Sequence, residues 1–279
     1  MLVWSWTNCH PYLKFAICGG AISGLNADDM NESISALLEL AHQIGREDRH
    51  LAILGEGNVS VRLSPCQFAV KASGSSLATL GETDVTVCDI GKVLAILDQK
   101  MLPDAKLEQA LLEARMNDRA KKPSVESMFH AWLLSLEDVS YVGHCHPVSA
   151  NQVLCSPRAR DFAERRMFPD EIVCCGAASV YVPYADPGLV LAREIRERTS
   201  AFIKEHEYVP RLIVLQNHGI IALGSTPNAV LACLLMATKA AAIFAGAAAM
   251  GGPNFLLPQH VERIFVRPDE AYRQRQLKI

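Results

Sequence analysis

The chain has 279 residues, of which 50% are hydrophobic and 20% charged, enough to bury a full core without disulfide or metal staples. A formal net charge of -3, with no Lys/Arg stripe interleaved with aromatics, leaves no electrostatic footprint for a nucleic-acid backbone and favours a small-molecule partner. The 9 cysteines include no CxxC pair, which excludes a zinc ribbon or a thioredoxin-type site and fits reduced, buried thiols in a cytoplasmic protein.

Residues 1–26 are apolar and lack helical or strand rhythm. They also lack the charged start of a secretory signal, and Asn8, His10, Pro11 and Lys14 break the apolar run short of a membrane span. Residues 1–29 therefore read as an N-terminal extension outside the core, with Met30 as an alternative start, and 30–279 as a single domain with a C-terminal tail. Asp29 and Asn31 then open an amphipathic helix whose apolar positions Ile34, Leu37, Leu38, Ala41 and Ile44 keep helical spacing.

Short β-type pieces follow at Asn58–Leu63, Gln67–Lys71 and Val85–Asp89, with a turn at Gly91. A helix over about Ser124–Ser135 leads into a β-rich run, Val139–His146, that stops at Pro147. From Ala150 the pattern is briefly helical, Ile172–Val182 reads as strands, Leu189–Thr199 as a helix and Leu212–Gln216 as a buried strand. The apolar stretch Ala229–Met250 has Thr226 and Pro227 as helix-opening signals and Gly251-Gly252-Pro253 as a stop, which predicts a buried core helix rather than a membrane span. The order of elements, without a regular βαβ cadence, predicts one α/β domain: a central mixed or antiparallel sheet flanked by helices.

His144 and His146, spaced i, i+2 at the end of a strand, project from one face, so one metal ion can take both. A pair of half-exposed strand histidines would show the same spacing. His218, in Asn217-His218-Gly219 after an apolar strand, adds a third imidazole at a strand end, and three imidazoles leave zinc an open position for substrate. Glu126 falls in the first turn of a helix opened by Pro123 and Ser124, where it could cap the helix or do chemistry. The glycine-rich turns 55–60 and 73–76 carry backbone N–H groups and hydroxyls that could cradle an anion, although as isolated motifs both are more often plain turns.

Taken in order, GNVS at 57–60, KASG at 71–74, PSVE at 123–126, HCHP at 144–147, VPYA at 182–185 and NHG at 217–219 resemble the class II aldolase/adducin family. The similarity covers roughly residues 30–250. The resemblance implies a zinc site at His144, His146 and His218, another divalent metal being an alternative, with Glu126 as the catalytic acid/base. It implies phosphate or substrate contacts from Asn58, Ser73, Gly74 and Ser124, and Lys71 could supply charge where Val125 replaces a serine of the aldolase pattern. It implies a zinc-dependent aldolase-type lyase, acting by reversible aldol cleavage of a ketose, phosphorylated or not, or a hydroxy-keto compound through a metal-stabilised enediolate. Relatives are homotetramers with sites at subunit boundaries, so Glu171 or Tyr184 could approach a neighbour's metal. Glu171 keeps a sugar-phosphate dehydratase open as the alternative, beside a decarboxylase or a non-catalytic adducin-like scaffold.

Overall fold

The computed structural model describes residues 27–100 and 102–279. The extension expected over 1–29 lies outside the described residues up to residue 26, and the first helix already starts at Ala27. In chain order the elements are helix α1 (Ala27–Ile44), strands β1 (Asn58–Arg62), β2 (Gln67–Lys71) and β3 (Val85–Asp89), and helices α2 (Ile90–Leu97), α3 (Asp104–Glu113) and α4 (Ser127–Leu134). Strand β4 (Tyr141–Cys145), helices α5 (Val148–Leu154), α6 (Ala159–Glu164) and α7 (Pro169–Cys175), strand β5 (Val180–Val182) and helix α8 (Leu189–His206) come next. Strands β6 (Leu212–Leu215) and β7 (Gly219–Gly224) and helices α9 (Pro227–Ala249), α10 (Pro258–Phe265) and α11 (Pro268–Leu277) complete the described chain.

The seven strands form one mixed sheet in the order β3-β2-β1-β4-β7-β6-β5, antiparallel at every pair except β5 with β6. Alternation along the strands divides the interior into two cores. Val59, Val61, Cys145, Val214 and Ala222 join the core that includes α1, α5 and α9, whereas Phe68, Val142, Ile213 and Ile221 join the core that includes α2, α4 and α8. The result is a three-layer α/β domain with a mixed sheet in the middle, as the sequence predicts.

Three local expectations are corrected. The segment Ile172–Val182 is not all strand: Pro169 at the first helical position and Asp170 and Glu171 in the first turn start α7, which ends at Gly176 with φ 85°. The β-branched apolar run Ile172–Val173 reflects burial, not strand geometry. Gly91 does not make a turn, because the Asp89 carboxylate accepts from Lys92 N at 2.8 Å and caps α2 around it. Strand β7, which begins at Gly219 directly after His218, has no counterpart among the predicted strands.

Helix α9 is long and apolar enough to cross a membrane by length and composition alone. Thr226 caps it, accepting from Ala229 N at 3.1 Å, and its face Val230, Leu234, Ala237, Ala241 and Phe244 is buried against the sheet, α5 and α7. The helix is part of the core.

Candidate metal centre

His144 is the last-but-one residue of β4 and projects from the sheet face that α4 covers, the face of Val142 two residues earlier. Its ring is fully buried, and Nδ1 donates to the carbonyl of Ile220 on neighbouring β7 at 2.9 Å, which directs the Nε2 lone pair into the site. His146 follows two residues on, past the strand end, with its backbone N–H on Leu51 O at 2.9 Å. Its Nε2 stands 2.9 Å from that of His144. His218 sits in the β6–β7 turn, where Asn217 takes a left-handed φ of 56°, and its ring centroid lies 5.1 Å from that of His144 and 4.9 Å from that of His146. Gly219 is required beside it: a Cβ there would stand 2.5 Å from Cys145 O and 2.7 Å from His146 Cδ2.

Glu126 occupies the N-cap position of α4 but makes no side-chain cap hydrogen bond, so the capping role that its position allows is not the one it fills. Its Oε1 instead lies 3.3 Å from His144 Nε2 and 3.9 Å from His218 Nε2, and its Oε2 accepts from Asn58 Nδ2 at 3.2 Å. One ligand atom from each of Glu126, His144, His146 and His218 falls within 4.8 Å of all the others. Nitrogen atoms bound to one tetrahedral zinc at ~2.0–2.1 Å stand about 3.3 Å apart, so the observed spacing fits a divalent ion without rearranging the backbone. The donor set, three imidazoles and a carboxylate, is one zinc accepts.

The electrostatics agree. Burial would raise the Glu126 carboxyl, yet the charge and hydrogen bond of His144 and the Asn58 donor outweigh it and hold it well below the usual carboxylate range. Burial likewise pushes His144 down, but Glu126 and the Ile220 carbonyl leave it net raised. Burial and the neighbouring imidazoles depress His146 to about 3 and His218 to about 4, so both are neutral at pH 7 with free lone pairs.

Residues 35–245 match the class II aldolase and adducin N-terminal domain. The chain belongs to that family. It is similar to the uncharacterized oxidoreductase YuxG of Bacillus subtilis (strain 168), at 24% identity over 208 residues covering 72% of this chain. The chain spans only 28% of the length of that curated relative. Among solved structures it resembles the N-terminal class II aldolase domain of a conserved protein from Thermoplasma acidophilum, with TM-score 0.61 and 21% identity over 81% of this chain and 98% of that one. It also resembles an L-fuculose 1-phosphate aldolase, with TM-score 0.62 and 18% identity over 86% of this chain and 96% of that one. At these identities the structural likeness is one of fold.

The remaining residues singled out in this class II aldolase domain fall into two groups. Ser73 and Gly74 are exposed, Gly74 with φ 79°, and the bridge Ala72–Pro123 with Ser73 N on Lys122 O at 2.9 Å brings them beside Ser124. Lys71 is buried, its ammonium donating to Gly55 O at 3.2 Å and Ser75 O at 2.7 Å, so it ties the two glycine-rich turns together. Glu171 lies apart from the donor cluster: it is 2% exposed, accepts from Met167 N at 2.8 Å and faces the buried Arg166, and its carboxyl is raised by burial. Tyr184 is 57% exposed and its hydroxyl donates to Asp186.

Sequence reasoning missed Ile220, whose contribution is a backbone carbonyl, and Glu56, whose Oε1 stands 3.9 Å from His146 Nδ1. It also missed the Ser60–His130 pair, Oγ to Nδ1 at 2.7 Å. The signal for that pair was present: Asn58 and Ser60 alternate with Val59 and Val61, and His130 lies one helical turn beyond Glu126.

Proposed function

We propose that this chain is a divalent-metal-dependent lyase of aldolase type that reversibly cleaves a carbon–carbon bond in a ketose, phosphorylated or not, or in a hydroxy-keto compound. The convergence of His144, His146, His218 and Glu126 on one point carries the reading, because three imidazoles would leave a divalent ion an open fourth position with the Glu126 carboxylate beside it, the arrangement of a catalytic rather than a closed structural site. Bound by the three imidazoles, zinc or another divalent ion supplies a Lewis acid for the oxygen on which negative charge grows during bond cleavage.

The protein's own groups do the rest. Glu126, low in acidity range and therefore ionised, accepts the proton of the hydroxyl whose carbon–carbon bond breaks and returns it to carbon in the other fragment. The exposed turn at Ser73 and Gly74 and the neighbouring Ser124 offer hydroxyls and backbone N–H groups to the anionic or polar end of the substrate. Lys71 acts indirectly, by fixing the distance between the two turns. Glu171, on which the dehydratase alternative rests, is buried and accepts from Met167 N within its own chain. A cytoplasmic homotetramer is the setting we propose for this activity.

The test is a screen of metal-loaded full-length protein against ketose phosphates, free ketoses and hydroxy-keto acids, with product identification. Release of an aldehyde and a ketone fragment supports the reading. Elimination of water or loss of carbon dioxide as the sole reaction, or no turnover with any class, refutes it.

A further inference from the structure

The segment 51–57, which leads into β1, is seated against the end of β4 by three backbone contacts. His146 N donates to Leu51 O at 2.9 Å, Lys71 Nζ donates to Gly55 O at 3.2 Å, and Gly57, at φ 73°, lies so close that a Cβ there would stand 2.7 Å from His144 O. Glu56 is therefore delivered to the same end of the sheet as the histidines. Its backbone N donates to Ile53 O at 3.0 Å and its Oε2 accepts from Ile53 N at 3.0 Å, which ties the carboxylate down inside the turn. The other oxygen, Oε1, faces His146 Nδ1 at 3.9 Å.

The two nitrogens of His146 have different surroundings. Nε2 stands 2.9 Å from Nε2 of His144 and is the atom turned toward the donor cluster. A neutral imidazole that gives Nε2 to a divalent ion carries its proton on Nδ1, and that N–H needs an acceptor which fixes the ring. For His144 the acceptor is the Ile220 carbonyl of the neighbouring strand. Strand β4 ends at Cys145, one residue short of His146, and the charged acceptor facing this second ring is the Glu56 carboxylate.

We propose that Glu56 is a positioning residue for His146: its Oε1 accepts from Nδ1–H and holds Nε2 toward the other donors, as the Ile220 carbonyl does for His144. The 3.9 Å separation exceeds a hydrogen bond by about 1 Å, a gap that rotation of the half-buried glutamate closes. The inference rests on the metal centre proposed above and is independent of which bond the enzyme cleaves.

The test reads metal binding first. Metal-free full-length wild type, Glu56→Ala, Glu56→Asp and Glu56→Gln are titrated with cobalt(II) at low and high salt, following the visible spectrum, with circular dichroism as the check on folding. Glu56→Ala is expected to weaken cobalt binding about tenfold and to alter the bands, the scale for loss of a group that orients a ligand. Glu56→Asp keeps the charge but loses the reach, so it should weaken binding by a similar factor. Glu56→Gln keeps an acceptor oxygen at the same reach and should recover part of the loss. Glu56→Ala indistinguishable from wild type overturns the proposal. So does Glu56→Asp equal to wild type, with the Ala effect vanishing at high salt, because that pattern is screened attraction between charges and not orientation. Where Ala disturbs folding, the order of Gln above Asp decides.

With a substrate in hand, Glu56→Ala in excess zinc should keep KM within about threefold of wild type. A KM raised about tenfold with cobalt affinity unchanged makes Glu56 a substrate contact and overturns the proposal. Wild type that takes up no cobalt overturns it together with the metal centre. If the cobalt pattern holds and no substrate is cleaved, the lyase reading fails and the assignment of Glu56 stands.

Discussion

His144 Nδ1 donates to the carbonyl of Ile220 at 2.9 Å, and this one bond decides which way the other nitrogen of the ring faces. With Nδ1 engaged by the sheet, Nε2 is left for Glu126 and for a metal ion, because a carbonyl that holds one ring nitrogen fixes the orientation of the other. A backbone ladder therefore sets the chemistry of a buried imidazole.

Metal content follows from this geometry. Elemental analysis of gently purified protein should find about one divalent ion per chain, and His146→Ala should lose most of it. Circular dichroism should stay near wild type, because the donors sit at the ends of strands already paired and packed. Protein that is metal-free, and takes up no zinc or cobalt on titration, would remove the basis for the proposed function.

Glu126→Gln separates chemistry from architecture. Glu126 makes no side-chain cap bond to α4, so folding should survive, whereas turnover should fall by roughly a hundredfold or more if the carboxylate moves the proton. Zinc content is measured alongside and restored with excess metal. Near-normal turnover in the fully loaded variant would transfer the acid/base role elsewhere.

The buried His130 predicts a pH effect on stability. Its folded value is depressed to about 3 from 6.5, chiefly by burial, so the unfolded chain binds the extra proton between those values. Stability present above pH 6.5 is then lost progressively as pH falls toward 3. Relative to pH 7.5, this group alone should cost about 2 kcal/mol at pH 5. Urea unfolding at the two pH values should show a smaller difference for His130→Asn than for wild type. An unchanged difference would mean that His130 is not held neutral.

Gly219→Ala tests the close approach beside His218. A Cβ there meets the His146 ring and Cys145 O, and the carbonyl cannot retreat without parting β4 from β7. A loss of roughly 2 to 4 kcal/mol in stability and a weaker metal site are expected. Chemical denaturation and zinc titration check both, and a fully stable, fully metallated variant would contradict the packing described.

The assembly predicted is a homotetramer, and light scattering at micromolar concentration measures it. Ile53, Leu54 and Val148 are exposed apolar side chains near the His146 end of the sheet, the kind of surface a neighbour covers. A strict monomer with full activity would rule out a site shared between subunits.

Much of the fold was legible because burial writes a period into the chain. Val59 and Val61, the spacing Ile34, Leu37, Leu38, Ala41, Ile44, and the Thr226-Pro227 opening of α9 each announce their element locally. The failures came where burial imitates a strand, at Ile172–Val173, and where an aspartate cap makes a helix of an apparent turn, at Asp89–Gly91. Three candidate ligand histidines could be named because each sits at a strand end beside a Pro or Gly, a pattern carried by sequence alone.

By itself, then, the sequence determined the α/β class, the ordered motifs and the residue types able to bind a metal, since those depend on local periodicity and composition. Tertiary structure decided that Glu126 faces the histidines rather than its own helix end, that Asn58 donates to it, and that Glu171 accepts from Met167 N. The first two outcomes are choices between partners distant in the chain. Only the register of β1 against β4 and the packing of α4 over them fixes which partner is within hydrogen-bond reach.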